Sequence, residues 1–333
     1  RTSPERSSPM TDSGITVPAE VFDPANISAE TKAVNAGILK ALSALPDMWT
    51  FPPAVIRERR AKGLGPFPLA PRCPHAVDRT VPGRGGDIPV RIIAPQMRES
   101  RGVYLHIHGG GWVLGAPAEN DPRLERIAEN TGLTSVSVDY RLAPENPYPA
   151  GPDDCEDVAL WLLNGGLEEL GGGKLAIGGE SAGAHLSVTT LIRLRDGHGT
   201  QPFIAANLVA GCYDLRGTPS VRRWGTEKLN LNTRDIMKFS ESFVQGEHTT
   251  EDPAISPMFA NLEGLCPALF SIGTRDPLLD DTLMMAPLWL AAGNATELAV
   301  FPGGAHVFQA LAGKLAQESL SQMDAFLNAA LED

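Results

Sequence analysis

A chain of 333 residues with 42% apolar and 20% charged residues has a globular composition and the length to bury a substantial core, in one large domain or two ordinary ones. No apolar run reaches the roughly 18 residues of a membrane span, and a formal net charge of −12 argues against nucleic acid or an anionic membrane surface as a partner. Four scattered cysteines, Cys73, Cys155, Cys212 and Cys266, lack metal-ligand spacing and read as free thiols of a reducing, cytoplasmic setting.

Residues 1–14 are rich in Ser, Pro, Arg and Thr without the apolar middle of a secretory signal, and Met10 reads as the natural start. Ile38, Leu39, Leu42 and Leu45 recur on one helix face that ends before Pro46, and 56–62 suits a second helix. Pro and Gly crowd 63–74 as in a linker. Residues 76–81 and 88–94 predict two antiparallel strands about a turn at 83–87. Short apolar runs follow at 103–108, 134–139, 175–178, 206–211, 268–273 and 297–301. They alternate with helical stretches at 123–130, 153–163, 182–195, 281–292 and 314–331. This alternation predicts an α/β fold, a mostly parallel sheet with helices on both faces. A polar interval at 214–252 breaks the rhythm, with a helix at 233–244 capped by Asn232 or Thr233. Its place after a strand suits a lid over a site, formed together with the N-terminal helices.

The strongest local signal is Gly179-Glu180-Ser181-Ala182-Gly183, between an apolar run and an apolar helix. That is the strand–turn–helix setting of a G-x-S-x-G nucleophile elbow. Small neighbours permit the sharp turn, and Ser181 then stands at a helix N-terminus whose dipole favours developing negative charge. His108-Gly109-Gly110-Gly111-Trp112 follows another run. Consecutive glycines let main-chain N–H groups approach a ligand, and fixed donors of this kind stabilise the oxyanion of acyl transfer. The expected donors are Gly109, Gly110 and Ala182. No Lys-Ser/Thr follows at Walker spacing, and Gly171-Gly172-Gly173-Lys174 reads as a surface turn.

A serine nucleophile needs a base, and four histidines follow Ser181. His185 is expected in a sheet–helix interface, and His198 and His248 in solvated loops. His306, in Pro302-Gly303-Gly304-Ala305-His306-Val307-Phe308, follows the last run and is the expected base. Asp276, in Gly273-Thr274-Arg275-Asp276-Pro277-Leu278, is the expected acid that orients it. Asp280 and Asp281 read as the cap and first-turn acids of the next helix. His106 and His108 share a strand face but lack a third ligand, so no metal is expected.

Taken together, these motifs resemble the bacterial hormone-sensitive-lipase-type esterases of the α/β-hydrolase superfamily. His108-Gly109-Gly110-Gly111 is similar to the family's oxyanion motif, and Gly179-Glu180-Ser181-Ala182-Gly183 to its elbow, where Asp is commoner in the second position. Asp139-Tyr140-Arg141-Leu142-Ala143-Pro144-Glu145, Asp276-Pro277-Leu278 and His306-Val307-Phe308 also match, so the resemblance runs from about residue 75 to the end. It implies an eight-stranded sheet, a helical cap, and cofactor-free hydrolysis of small-molecule esters, usually with small acyl groups; shielding by the lid is expected to favour short-to-medium acyl groups over long-chain triglyceride. Glu180 in place of Asp is expected to leave the chemistry intact and to alter packing beside the elbow. Arg141 and Glu145 are expected to pair and brace the site. The implied division is 1–62 as N-terminal segment and cap helices, 63–213 and 253–333 as the catalytic part, and 214–252 as the cap insertion. A homodimer through the C-terminal strand and helix, as in relatives, is a further expectation, with neither nucleic acid nor stable membrane insertion. Amide, lactone or peptide hydrolysis by the same triad is the competing activity. A ligand-binding receptor, as in the similar plant gibberellin receptors, is disfavoured because His306 is present.

Overall fold

The computed structural model describes residues 14–332; Met10 lies outside the described residues. Eight strands form one sheet: β1 (Val77–Val81), β2 (Ile88–Ile93), β3 (Gly102–Ile107), β4 (Leu133–Val138), β5 (Lys174–Glu180), β6 (Phe203–Val209), β7 (Ala268–Arg275) and β8 (Thr296–Ala305). Their order is β1-β2-β4-β3-β5-β6-β7-β8. β2 runs antiparallel to β1 and β4, and every other neighbouring pair is parallel. The helices are α1 (Ala29–Ser43), α2 (Pro53–Ala61), α3 (Asp121–Thr131), α4 (Ala150–Trp161), the single turn α5 (Leu167–Glu169), α6 (Ala182–His198), α7 (Pro219–Trp224), α8 (Thr233–Phe243), α9 (Leu279–Ala291) and α10 (Lys314–Glu332).

Alternate residues of a strand face opposite sides of a sheet, and β3 shows how both sides are filled. Val103, Leu105 and Ile107 join a core with Val158 of α4, Leu186 of α6 and Trp289 of α9. Tyr104 joins a second core with Ile127 of α3 and Met323, Phe326 and Leu327 of α10. Burial on both faces explains why the central strands read as unbroken apolar runs. β5 extends past the predicted 178 to Glu180, and β8 past 301 to Ala305, so both deliver the chain directly to the candidate site residues.

α1 lies over the end of β8. Ile38 clusters with Leu229 and Ala305, and Asn35 Nδ2 donates to the Gly303 carbonyl at 2.8 Å. The polar interval contributes α8, whose cap is Asn232 in a reciprocal capping box with Asp235, and α7, which the sequence did not predict. The Trp49 indole N–H donates to Asp235 Oδ1 at 2.7 Å, and its ring meets Phe239 edge-on at 5.0 Å. These contacts tie the N-terminal segment to the insertion.

Candidate active site

Ser181 stands between the end of β5 and the start of α6 with φ 57° and ψ −120°, a strained backbone for a residue with a Cβ. The chain can turn there because Gly179 and Gly183 pack against β3. A Cβ at either would lie 2.1 or 1.9 Å from the Ile107 carbonyl oxygen, a distance that no larger residue tolerates. The Ser181 N–H donates to the Val209 carbonyl at 2.8 Å, which fixes the turn against β6.

Asp276 follows β7 and His306 follows β8, both at the sheet edge where β5 delivers Ser181. His306 Nε2 lies 3.0 Å from Ser181 Oγ, and His306 Nδ1 lies 2.9 Å from Asp276 Oδ2. The other carboxylate oxygen of Asp276 accepts the Leu278 N–H at 2.9 Å. A carboxylate on Nδ1 keeps the proton there and turns the Nε2 lone pair to the hydroxyl. All three residues are buried.

The glycine loop departs from expectation at one donor. The Gly109 N–H donates to Glu180 Oε1 at 2.9 Å and therefore faces away from any substrate oxygen. The N–H groups of Gly110, Gly111 and Ala182 have no acceptor among the described residues. Gly111, which the sequence reading passed over, thus has a free N–H where Gly109 does not. The Phe239 ring of α8 covers this loop, since a Cβ on Gly111 would lie 2.3 Å from Phe239 Cγ.

Glu180 is the residue whose importance the sequence concealed. Its Oε2 accepts from Arg123 Nη1 at 3.0 Å and His106 Nε2 at 3.1 Å, while His106 Nδ1 meets Ser137 Oγ at 2.8 Å. Burial pushes the carboxyl up, but His106, Arg123 and the Gly109 N–H more than offset it and hold it at about 2. His108 has a different environment. It stacks on Tyr140 at 4.3 Å, its Nδ1 meets the Gly109 carbonyl, and burial lowers it to about 4. His106 and His108 therefore do not converge on a common point. Among the described residues, Cys73, His75 and Glu125 form a cluster of metal-ligand types. Both His75 nitrogens lie 3.4 Å from Cys73 Sγ, which puts the sulfur over the ring rather than along either lone pair. Cys73 packs instead with Ile93, Leu124 and Ala128.

Other expectations change in detail. His185 is buried as expected, accepting from Trp112 Nε1 at 3.0 Å and meeting the Ile255 carbonyl at 2.8 Å. His198 is not a loop residue; it ends α6 and bonds Glu156. Asp280 and Asp281 lie in the first turn of α9. Asp281 is fully buried, accepting from the Tyr213 and Asp214 N–H groups and the Thr218 hydroxyl, and burial raises its carboxyl to about 7. Arg141 and Glu145 do not pair. Arg141 binds Asp154 and Glu145 binds Arg57, because α4 and α2 present closer carboxylate and guanidinium groups.

The family described as alpha/beta hydrolase fold matches residues 104–310. The carboxylic ester hydrolase LipN of Mycobacterium tuberculosis is 32% identical over 239 residues, which are 69% of this chain and 63% of LipN. The chain thus spans somewhat under two thirds of LipN's length. The carboxylesterase NlhH of the same organism is 36% identical over 66% of this chain and 70% of its own. A hyperthermophilic esterase from the archaeon Pyrobaculum calidifontis is similar in structure, with TM-score 0.81 at 28% identity, covering 91% of this chain and 98% of that one. No helix among the described residues is long and apolar enough to cross a membrane.

Proposed function

The chain belongs to the alpha/beta hydrolase fold family, among its hormone-sensitive-lipase-type bacterial esterases, and on that premise we propose that it hydrolyses carboxylic esters through an acyl-enzyme on Ser181. The carrying observation is the line of hydrogen bonds from Ser181 Oγ through His306 to Asp276 Oδ2. His306 Nε2 takes the hydroxyl proton as Oγ attacks the ester carbonyl. The carbonyl π electrons move onto oxygen, which is received by the N–H groups of Gly110, Gly111 and Ala182; one such donor is worth about 10²–10³ in turnover. His306 then protonates the departing alcohol. A water that loses its proton to His306 opens the acyl-serine, releasing the acid and restoring Oγ–H. Asp276 stabilises the imidazolium in both halves without taking its proton. No step calls on a cofactor.

Segments 1–62, of which 1–13 lie outside the described residues, and 214–252 are read as one cap, supported by the Ile38–Leu229 and Trp49–Asp235 contacts. The Phe239 ring over Gly111 favours short-to-medium acyl groups. Activity that climbs steadily past about ten carbons would contradict this, since each buried CH₂ is worth about 0.8 kcal/mol where space exists. Ser181→Ala is expected to leave a folded protein with almost no turnover of p-nitrophenyl acetate or butyrate. Near-normal turnover in that variant removes Ser181 from the mechanism, and amide cleavage outpacing ester cleavage in the wild type favours an amidase.

A further inference from the structure

We propose that Glu180 is a positioning residue that sets the distance between the two halves of the oxyanion site, an inference that rests on the ester-hydrolase reading above. The N–H groups that would receive the oxyanion come from two separate pieces of chain. Gly110 and Gly111 lie in the loop after β3, and Ala182 begins α6 after β5. Glu180 immediately precedes Ser181, and its Oε1 holds the Gly109 N–H, the residue before the loop donors. One carboxylate therefore links the main chain of the nucleophile to the main chain of the donor loop.

The rest of the network keeps this carboxylate in place. Its second oxygen accepts from Arg123 of α3 and His106 of β3, and His106 is held from behind by Ser137 of β4. Arg123 Nε and Nη2 are buried without partners among the described residues, so the cation is directed to Glu180. The side chain of Glu180 is 6% exposed and that of His106 fully buried, and hydrogen bonds in so buried a network are strong and hold its members in place. The arrangement answers a need of the chemistry. Donors aimed at an oxyanion act through fixed placement, and a displacement of about 1 Å at a reacting centre costs about 10²-fold.

Removing the acceptor should therefore lower kcat rather than raise KM, because the donors meet their full charge only in the transition state. A merely structural role would instead reduce the fraction of folded enzyme and leave each intact site at normal speed. The test is kcat per titrated serine, with Ser181 counted by a fluorophosphonate and turnover read on p-nitrophenyl butyrate. Glu180→Ala is expected to fall about tenfold to 100-fold with KM within about threefold. Glu180→Gln, whose carbonyl oxygen can still accept from Gly109, should recover part of the loss while staying about threefold or more below wild type. Losses of less than threefold per titrated serine in both variants, or a rise in KM alone, overturn the proposal. If Glu180→Ala is insoluble, Glu180→Gln decides on the same threshold. A wild-type protein that neither reacts with the fluorophosphonate nor turns over ester refutes the functional reading itself, which is a distinct result.

Discussion

Asn230 Nδ2 donates a 3.0 Å hydrogen bond to the main-chain carbonyl of His306, so the insertion after β6 touches the backbone of the candidate base. Asn230 has φ 71°, a left-handed conformation that Asn and Gly adopt most readily. Asn230→Gly keeps that backbone and deletes the amide. Loss of one such bond, about 1 kcal/mol, should appear as a fall of about fivefold in kcat/KM with little change in Tm. Unaltered kinetics would make the contact incidental to His306.

Phe239 covers Gly111 and sets the room beside the donors. Phe239→Ala should raise the kcat/KM ratio of octanoate to acetate about tenfold, the equivalent of seating two further methylenes. Phe239→Leu should move it less, in the same direction. A ratio that does not rise in either variant places the acyl chain elsewhere.

His185 accepts the Trp112 indole N–H on Nδ1 and bonds the Ile255 carbonyl through Nε2. Protonation would set N–H against N–H, and burial lowers the imidazole to about 4. The unfolded chain binds that proton near its ordinary value of about 6.5. The folded state is therefore disfavoured as pH falls from about 6.5 towards 4, and His185 alone removes about 2 kcal/mol between pH 7 and pH 5. His108, lowered to about 4 by the same cause, acts in the same direction. Asp281, raised to about 7 by burial, acts in the opposite direction over the same range, so the histidine contribution is read as a difference: between pH 7 and pH 5 the urea midpoint of the wild type should fall further than that of His185→Gln, and equal falls contradict the His185 assignment.

Gly183 is required by the 1.9 Å that a Cβ would leave to the Ile107 oxygen. Gly183→Ala must push β3 from α6, at a cost of about 3 kcal/mol or more, and disturb the Ser181 turn. Reduced urea stability together with weak fluorophosphonate labelling is the expected outcome, and normal values of both refute the packing argument.

The elements that the sequence announces are those whose cause is local. The elbow needs small residues around Ser181, the donor loop needs consecutive glycines, and strands buried on both faces are apolar throughout. His306 and Asp276 were legible because each follows such a run. The rest depends on partners remote along the chain. Glu180 looks like a polar end to β5 until Arg123 and His106 are seen to enclose it. The same bond engages the Gly109 N–H, so the proposed donor role passes to Gly111. Arg141 and Glu145 are close in sequence, yet Asp154 and Arg57 claim them. Six-residue α7 has one buried residue, Val221, too little for a periodic signal.

Ser181 and His306 are buried, with 8% and 5% of their surface open to solvent, and Asn230 of the insertion bonds the His306 carbonyl. Entry of an ester and exit of a product are expected to require movement of that insertion. Rocking of this kind meets solvent friction while bond-making at Ser181 does not. For esters with good leaving groups, turnover should slow as glycerol or sucrose thickens the medium, and the slope should flatten as the leaving group worsens and chemistry becomes the slower event.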